Sequence, residues 1–134
     1  MTKLFAYLAY LIFLTSSLHA QENNWNRFRG PNGSGVVSDN AFSMPFNAKQ
    51  PVWRTETSGV GNSSPVTFQD RLFITSADTD SGQRFLHCIN LMTGNQEWSQ
   101  SVKFTQFKAN KRNGFASSTP SVDKKHVYVL WQSP

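Results

Sequence analysis

Ser64-Pro65-Val66-Thr67-Phe68-Gln69-Asp70-Arg71-Leu72-Phe73-Ile74 lies over Thr119-Pro120-Ser121-Val122-Asp123-Lys124-Lys125-His126-Val127-Tyr128-Val129 without a gap. Proline falls on proline, a polar turn on a polar turn, and Leu72-Phe73-Ile74 on Val127-Tyr128-Val129. Each copy reads as a strand, a tight turn and a second apolar strand. Val52-Trp53-Arg54 lies over Glu97-Trp98-Ser99, about 45 residues further on. Self-similarity at a period of roughly 40–50 residues marks a repeat architecture. In such an architecture one unit cannot bury both faces of its sheet, so it must stack on a neighbour.

Working outward, strands are predicted near Val52–Glu56, Pro65–Phe68, Arg71–Ser76, Phe85–Leu91, Glu97–Lys103, Ser118–Val122 and Val127–Trp131. Turn-forming residues separate them at Gln69-Asp70, Asp78-Thr79-Asp80-Ser81-Gly82, Met92-Thr93-Gly94-Asn95 and Asp123-Lys124-Lys125. No window carries a sustained helical period. The fold class is therefore all-β, and four strands per period is the blade of a β-propeller. The expected architecture is a partial propeller of four-stranded antiparallel blades: one full blade, roughly Ser63 to Lys103, plus parts of two others. The lone strand near Trp53 is the one that would close the ring from the outer edge of a last blade. Further blades are expected beyond Pro134, and the stacked core is expected to need them.

Two segments precede the blades. Residues 1–20 carry Lys3, an apolar run from Leu4 to Leu14 and a terminal Ala20, the three parts of a secretory signal peptide. The run is about half of the roughly 20 residues that span a bilayer. Export to the periplasm or the cell exterior is expected, with no stable membrane span after cleavage. Residues 21–50 form an irregular extension. There Arg29-Gly30-Pro31-Asn32-Gly33-Ser34-Gly35 excludes a helix, and Trp25, Phe28, Phe42 and Phe46 are the expected anchors. Residues 51–134 are the partial propeller.

The charge is mildly basic: 13 Lys and Arg against 8 Asp and Glu, a net +5 over all 134 residues. That slightly favours acidic partners and gives no argument for nucleic acid. Cys88 is the sole cysteine, so no disulfide forms within the chain.

Met92-Thr93-Gly94-Asn95-Gln96-Glu97-Trp98 resembles the Thr-Gly-x-x-x-Trp blade ending of quinoprotein-like propellers. Ser63-Ser64-Pro65-Val66 with Asp70-Arg71-Leu72-Phe73-Ile74 resembles the start of such a blade. Trp25-Asn26-Arg27-Phe28-Arg29-Gly30-Pro31-Asn32-Gly33-Ser34-Gly35 resembles the mature start of secreted bacterial pyrroloquinoline-quinone-like (PQQ-like) β-propeller repeat proteins. The resemblance covers nearly all of residues 25–131. It implies the propeller fold and export, and it suggests PQQ as a cofactor by family name only. The paired cysteines and the calcium-holding Glu/Asn/Asp set of quinoprotein dehydrogenases have no match here. Relatives on the same scaffold serve purely in protein binding, and fold does not settle function.

Motifs that carry chemistry are few. His87 and Cys88 are neighbours on a strand and point to opposite faces, so they cannot form a thiolate–imidazole couple. Phe85, His87, Ile89 and Leu91 are expected on one face, with Leu86, Cys88 and Asn90 on the other. Asp78-Thr79-Asp80-Ser81-Gly82 resembles half a calcium loop but lacks a third side-chain ligand and the distal Glu. Gly33-Ser34-Gly35 is no nucleophile elbow, and Gly59-Val60-Gly61 leads into a strand rather than a phosphate-binding helix. The spacing from Trp98 to Pro120 is 22 residues against 12 from Trp53 to Pro65, so about ten residues are inserted between blades. They bring Lys108, Lys111 and Arg112. Alternating strands put this loop and the Asp78–Arg84 turn on one face, where loops on a rigid scaffold carry function. Lys108, Lys111, Arg112, Asp78 and Asp80 are therefore the candidate binding residues, and a protein or extracellular polymer is the expected partner. The expectation is a non-catalytic binding or scaffolding protein. The alternative is a quinone- or metal-dependent oxidoreductase whose active site lies in further blades.

Overall fold

The structure, a computed structural model, describes residues 24–37, 49–108 and 114–132. The proposed leader, Phe42, Phe46, Lys111 and Arg112 lie outside the described residues. The chain is all-β, and among the described residues there is no helix.

Four strands form one antiparallel sheet in sequence order: β1 (Val66–Phe68), β2 (Arg71–Asp78), β3 (Gln83–Asn90) and β4 (Gln96–Lys103). Successive antiparallel strands joined by tight turns need no crossover, which is why sequence order and spatial order coincide. β2 runs two residues past the predicted Ser76, and β3 starts two residues before the predicted Phe85 and ends at Asn90, because Ala77-Asp78 and Gln83-Arg84 continue the ladder to the turn. A second, two-stranded sheet follows, β5 (Ser121–Val122) with β6 (Val127–Tyr128).

The two hairpins share one register. Val66 pairs with Phe73 and Thr67 with Leu72, while Ser121 pairs with Tyr128 and Val122 with Val127. Adding 55 to the first set of numbers gives the second. The hairpins differ at the turn and in the length of the second strand. Phe68 continues the first ladder by pairing with Arg71. At the matching position the Asp123 carboxylate accepts the N–H groups of Lys125 and His126, both at 2.7 Å. The Asp123 N–H still donates to the His126 carbonyl at 3.0 Å, so the cap takes the place of the return bond only. β5 and β6 fall short of the predicted Ser118–Val122 and Val127–Trp131 at the ends away from the turn.

Alternation sorts the four-stranded sheet into two faces. Val66, Phe73 and Cys88 sit on one face and form the core with Val122 of the second hairpin, flanked by Phe68, Leu86 and Val127. The second hairpin thus covers that face. Ser76 and His87 lie on the other face, where Ser58 meets Ser76 through its carbonyl. The predicted strand Val52–Glu56 is not one. These residues run as an irregular strap, with the Trp53 indole donating to the Leu91 carbonyl at 2.9 Å and the Thr55 hydroxyl to the Gly94 carbonyl. Strap and turn meet ring against backbone: Gly94 has φ +74°, and a Cβ there would lie 2.7 Å from Trp53. A side chain has no room, and the segment stays out of the ladder because its polar groups are spent on the β3–β4 turn.

The N-terminal segment braces both units. Thr67 N–H donates to the Trp25 carbonyl at 2.9 Å, and Val122 N–H donates to the Asn26 carbonyl at 2.9 Å. Thr67 and Val122 are equivalent positions of the repeat. Gly30 (φ +78°) packs under the Trp25 ring, where a Cβ would lie 2.7 Å away. Of the expected anchors, Trp25 takes this role, whereas Phe28 is 60% exposed and anchors nothing.

Candidate functional site

The β2–β3 turn and the long connection after β4 meet at one end of the sheet. Phe104 N–H donates to the Gly82 carbonyl at 3.0 Å, and the Gln106 amide donates to the Thr79 carbonyl. Asp78, Asp80 and Lys108 are at this end. Asp78 is largely consumed by its own turn. The Ser81 hydroxyl and then the Asp80 N–H, at 2.9 Å, hold its carboxylate below the usual range. Asp80 and Lys108 are exposed. Nothing in the described residues turns Asp78 and Asp80 into a multidentate cation cage, and no group of three or more His, Cys, Asp or Glu is gathered among them.

Arg84 organises this end. Its residue is 3% exposed, and its guanidinium donates from Nε to the Phe115 carbonyl and from a terminal nitrogen to the Gln132 carbonyl, both at 2.8 Å. The charge lies 4.5 Å from the centre of the Phe104 ring and 6.0 Å from that of Phe107. Phe115 packs on both rings, at 4.9 and 5.2 Å. Burial pushes the Arg84 pKa down. Carbonyl dipoles and aromatic faces offset the lost hydration of the cation. One arginine on β3 thereby fixes both ends of the connection that carries Lys108.

A cleft of about 230 Å³ opens at the opposite end, between the β1–β2 turn and the β5–β6 turn. Phe73 and Trp98 are among its apolar walls, and Arg71, Lys124 and His126 among its polar ones. It is below the roughly 300–1,000 Å³ of typical small-molecule sites. Two of its charges, Arg71 and Asp123, are engaged. Arg71 donates to Glu97 at 2.9 Å, which raises the arginine and holds the carboxylate low. Asp123 is held low by the N–H groups of Lys125 and His126, and it pushes the Tyr128 phenol up.

The nearest approach to a catalytic constellation is on the strap-covered face. His87 Nε2 stands 2.8 Å from Ser76 Oγ, and its Nδ1 stands 3.1 Å from Gln96 Oε1. A hydroxyl, an imidazole and an orienting group in this order resemble an activated serine. Burial contradicts that use: Ser76 is 4% and His87 1% exposed, and the Ser76 hydroxyl is also bound to the Ser58 carbonyl. The group is a structural clasp. Burial lowers the His87 pKa, with Gln96 and the Ser58 carbonyl pulling the other way. Cys88 faces the opposite side of the sheet, in the core. Burial first, and then the nearby Glu97 charge, push its thiol up to about 11. Such a thiol is a packed hydrophobe and not a nucleophile.

Among the described residues no cysteine pair and no cluster of carboxylates is gathered that would hold PQQ. The one cysteine is buried in the core, and the described carboxylates are paired with neighbouring side chains or turn amides, or stand singly at the surface. Among the described residues, no helix is long and apolar enough to cross a membrane. No family model, no curated protein and no solved structure matches the chain.

Proposed function

We propose that this chain is part of an exported, non-catalytic β-propeller that binds a protein or an extracellular polymer through its inter-blade loops. The single observation that carries the reading is the Arg84 anchorage. A long, basic connection is held rigidly at both ends beside the β2–β3 turn, which presents Lys108 with little entropy left to lose on binding. The blade reading draws support from the shared register of the two hairpins and from the side-by-side position of β1 and β5. Secretion, the propeller ring and the role of Lys111 and Arg112 belong to this proposal and rest on sequence.

The test uses a polyuronate as an acidic polymer probe and dextran as its neutral counterpart. The protein is expected to retard with the polyuronate in affinity electrophoresis, to release it as salt rises, and to ignore dextran. The triple substitution Lys108→Glu, Lys111→Glu, Arg112→Glu is expected to abolish retardation. Equal retardation by the triple variant and the parent, or none by the parent, overturns the reading.

A further inference from the structure

β4 is an edge strand of unusual composition. It pairs with β3 alone, all eight of its residues are exposed, and among the described residues nothing bonds its outer side. Natural edges are defended by proline, by charges pointing inward, by bulges or by shortness. β4 has no proline, runs the full length of the sheet and keeps its one cation, Lys103, at the very end. Its only irregularity is a bulge near the start, where Cys88 pairs with Trp98 and Ile89 with Gln96, leaving Glu97 unpaired.

The sequence of the strand is self-complementary. Glu97-Trp98-Ser99-Gln100-Ser101-Val102-Lys103 is symmetric in polarity about Gln100, with the large Trp98 matched to the smaller Val102, and antisymmetric in charge. An antiparallel neighbour with the same sequence, centred on Gln100, sets Trp98 opposite Val102, Ser99 opposite Ser101 and Gln100 opposite Gln100. It also brings the Lys103 end of each strand beside the Glu97 end of the other. Trp98 and Val102 stand on one face of the sheet and are 36% and 55% exposed, so each would cover the other across the pair. An isologous contact of this kind closes on itself and leaves no β4 edge free.

We infer that β4 is the interface of a two-fold dimer, in which the four-stranded sheets of two copies of this chain join into one eight-stranded sheet centred on Gln100. The interface does not depend on the propeller reading: it needs only β4 at the sheet edge.

Sedimentation equilibrium and oxidative cross-linking of the protein test it, with three variants at exposed positions of β4. The parent is expected to show a concentration-dependent dimer. Gln100→Lys, at an exposed position, sets two lysines opposite one another on the two-fold and is expected to give a monomer with an unchanged circular dichroism spectrum. Gln100→Cys places two thiols on the two-fold, where opposed Cα atoms are about 4.5–5.5 Å apart and within disulfide reach. Oxidation is expected to yield a covalent dimer from Gln100→Cys and none from Lys103→Cys. A parent that stays monomeric at all concentrations overturns the inference. So does cross-linking through Lys103→Cys as readily as through Gln100→Cys.

Discussion

Ser64 donates its backbone N–H to the Thr119 hydroxyl at 3.1 Å, and the two residues are equivalents of one another, 55 positions apart. Next to them, the Thr75 hydroxyl donates to the Ser118 carbonyl at 3.1 Å, and Ser63 Oγ accepts the Thr75 N–H at 3.0 Å. The segments leading into β1 and β5 therefore meet at one matching pair, Ser64 and Thr119. Thr119→Val keeps the shape and removes the acceptor, leaving the Ser64 amide unpaired. A loss of about 1 kcal/mol is expected in urea unfolding. A midpoint unchanged from the parent would show that the units do not meet there.

Gly94 and Trp53 make a sharper test. Gly94→Ala adds a methyl group at φ +74°, 2.7 Å from the indole. The left-handed backbone and the displaced ring together are expected to cost about 1–3 kcal/mol. A shift of Trp53 emission should accompany the loss. An unchanged spectrum and midpoint would contradict the packing of strap on turn.

Arg84→Lys tests the anchorage of the long connection. Lysine cannot donate to the Phe115 and Gln132 carbonyls in the same fixed geometry, nor lie flat on Phe104. A destabilisation of about 2–4 kcal/mol is expected, close to the cost of breaking a buried charged group's contacts. Trypsin cleavage at Lys108, Lys111 and Arg112 is expected to accelerate, read by mass spectrometry. Cleavage at the parent's rate would show that the connection is held by something else.

His87 sets a pH dependence. Its folded pKa is depressed by burial, so the unfolded chain binds more protons in the window below the ordinary histidine value of about 6.5. The contribution is complete above that value and is lost as pH falls through the depressed one. Unfolding midpoints at pH 8 and pH 5 are expected to differ, and the difference is expected to shrink in His87→Gln. An equal fall in parent and variant would assign the acid sensitivity elsewhere.

The hairpins were legible in the sequence because period-2 alternation and turn residues are local, and the ungapped repeat carried the register from one to the other. The opposed faces of His87 and Cys88 followed from the same alternation. The strap was not legible. Val52 to Glu56 has the composition of a strand, but its fate is decided by Leu91 and Gly94, which are distant in sequence. Arg84 was overlooked at the candidate site, although a signal existed: alternation places it on the face of Leu86 and Cys88, where a charge needs an explanation. The Ser76–His87–Gln96 clasp had no sequence signal, since three strands supply one residue each.

Amide hydrogen exchange at Thr67 and Val122 bears most directly on the central claim, that two equivalent units lie side by side under one N-terminal brace. Both amides donate to that brace, Thr67 to Trp25 and Val122 to Asn26. They are expected to be protected together, and to lose protection together in Trp25→Ala. A protected Thr67 beside a Val122 exchanging at the rate of an unfolded chain would contradict the claim.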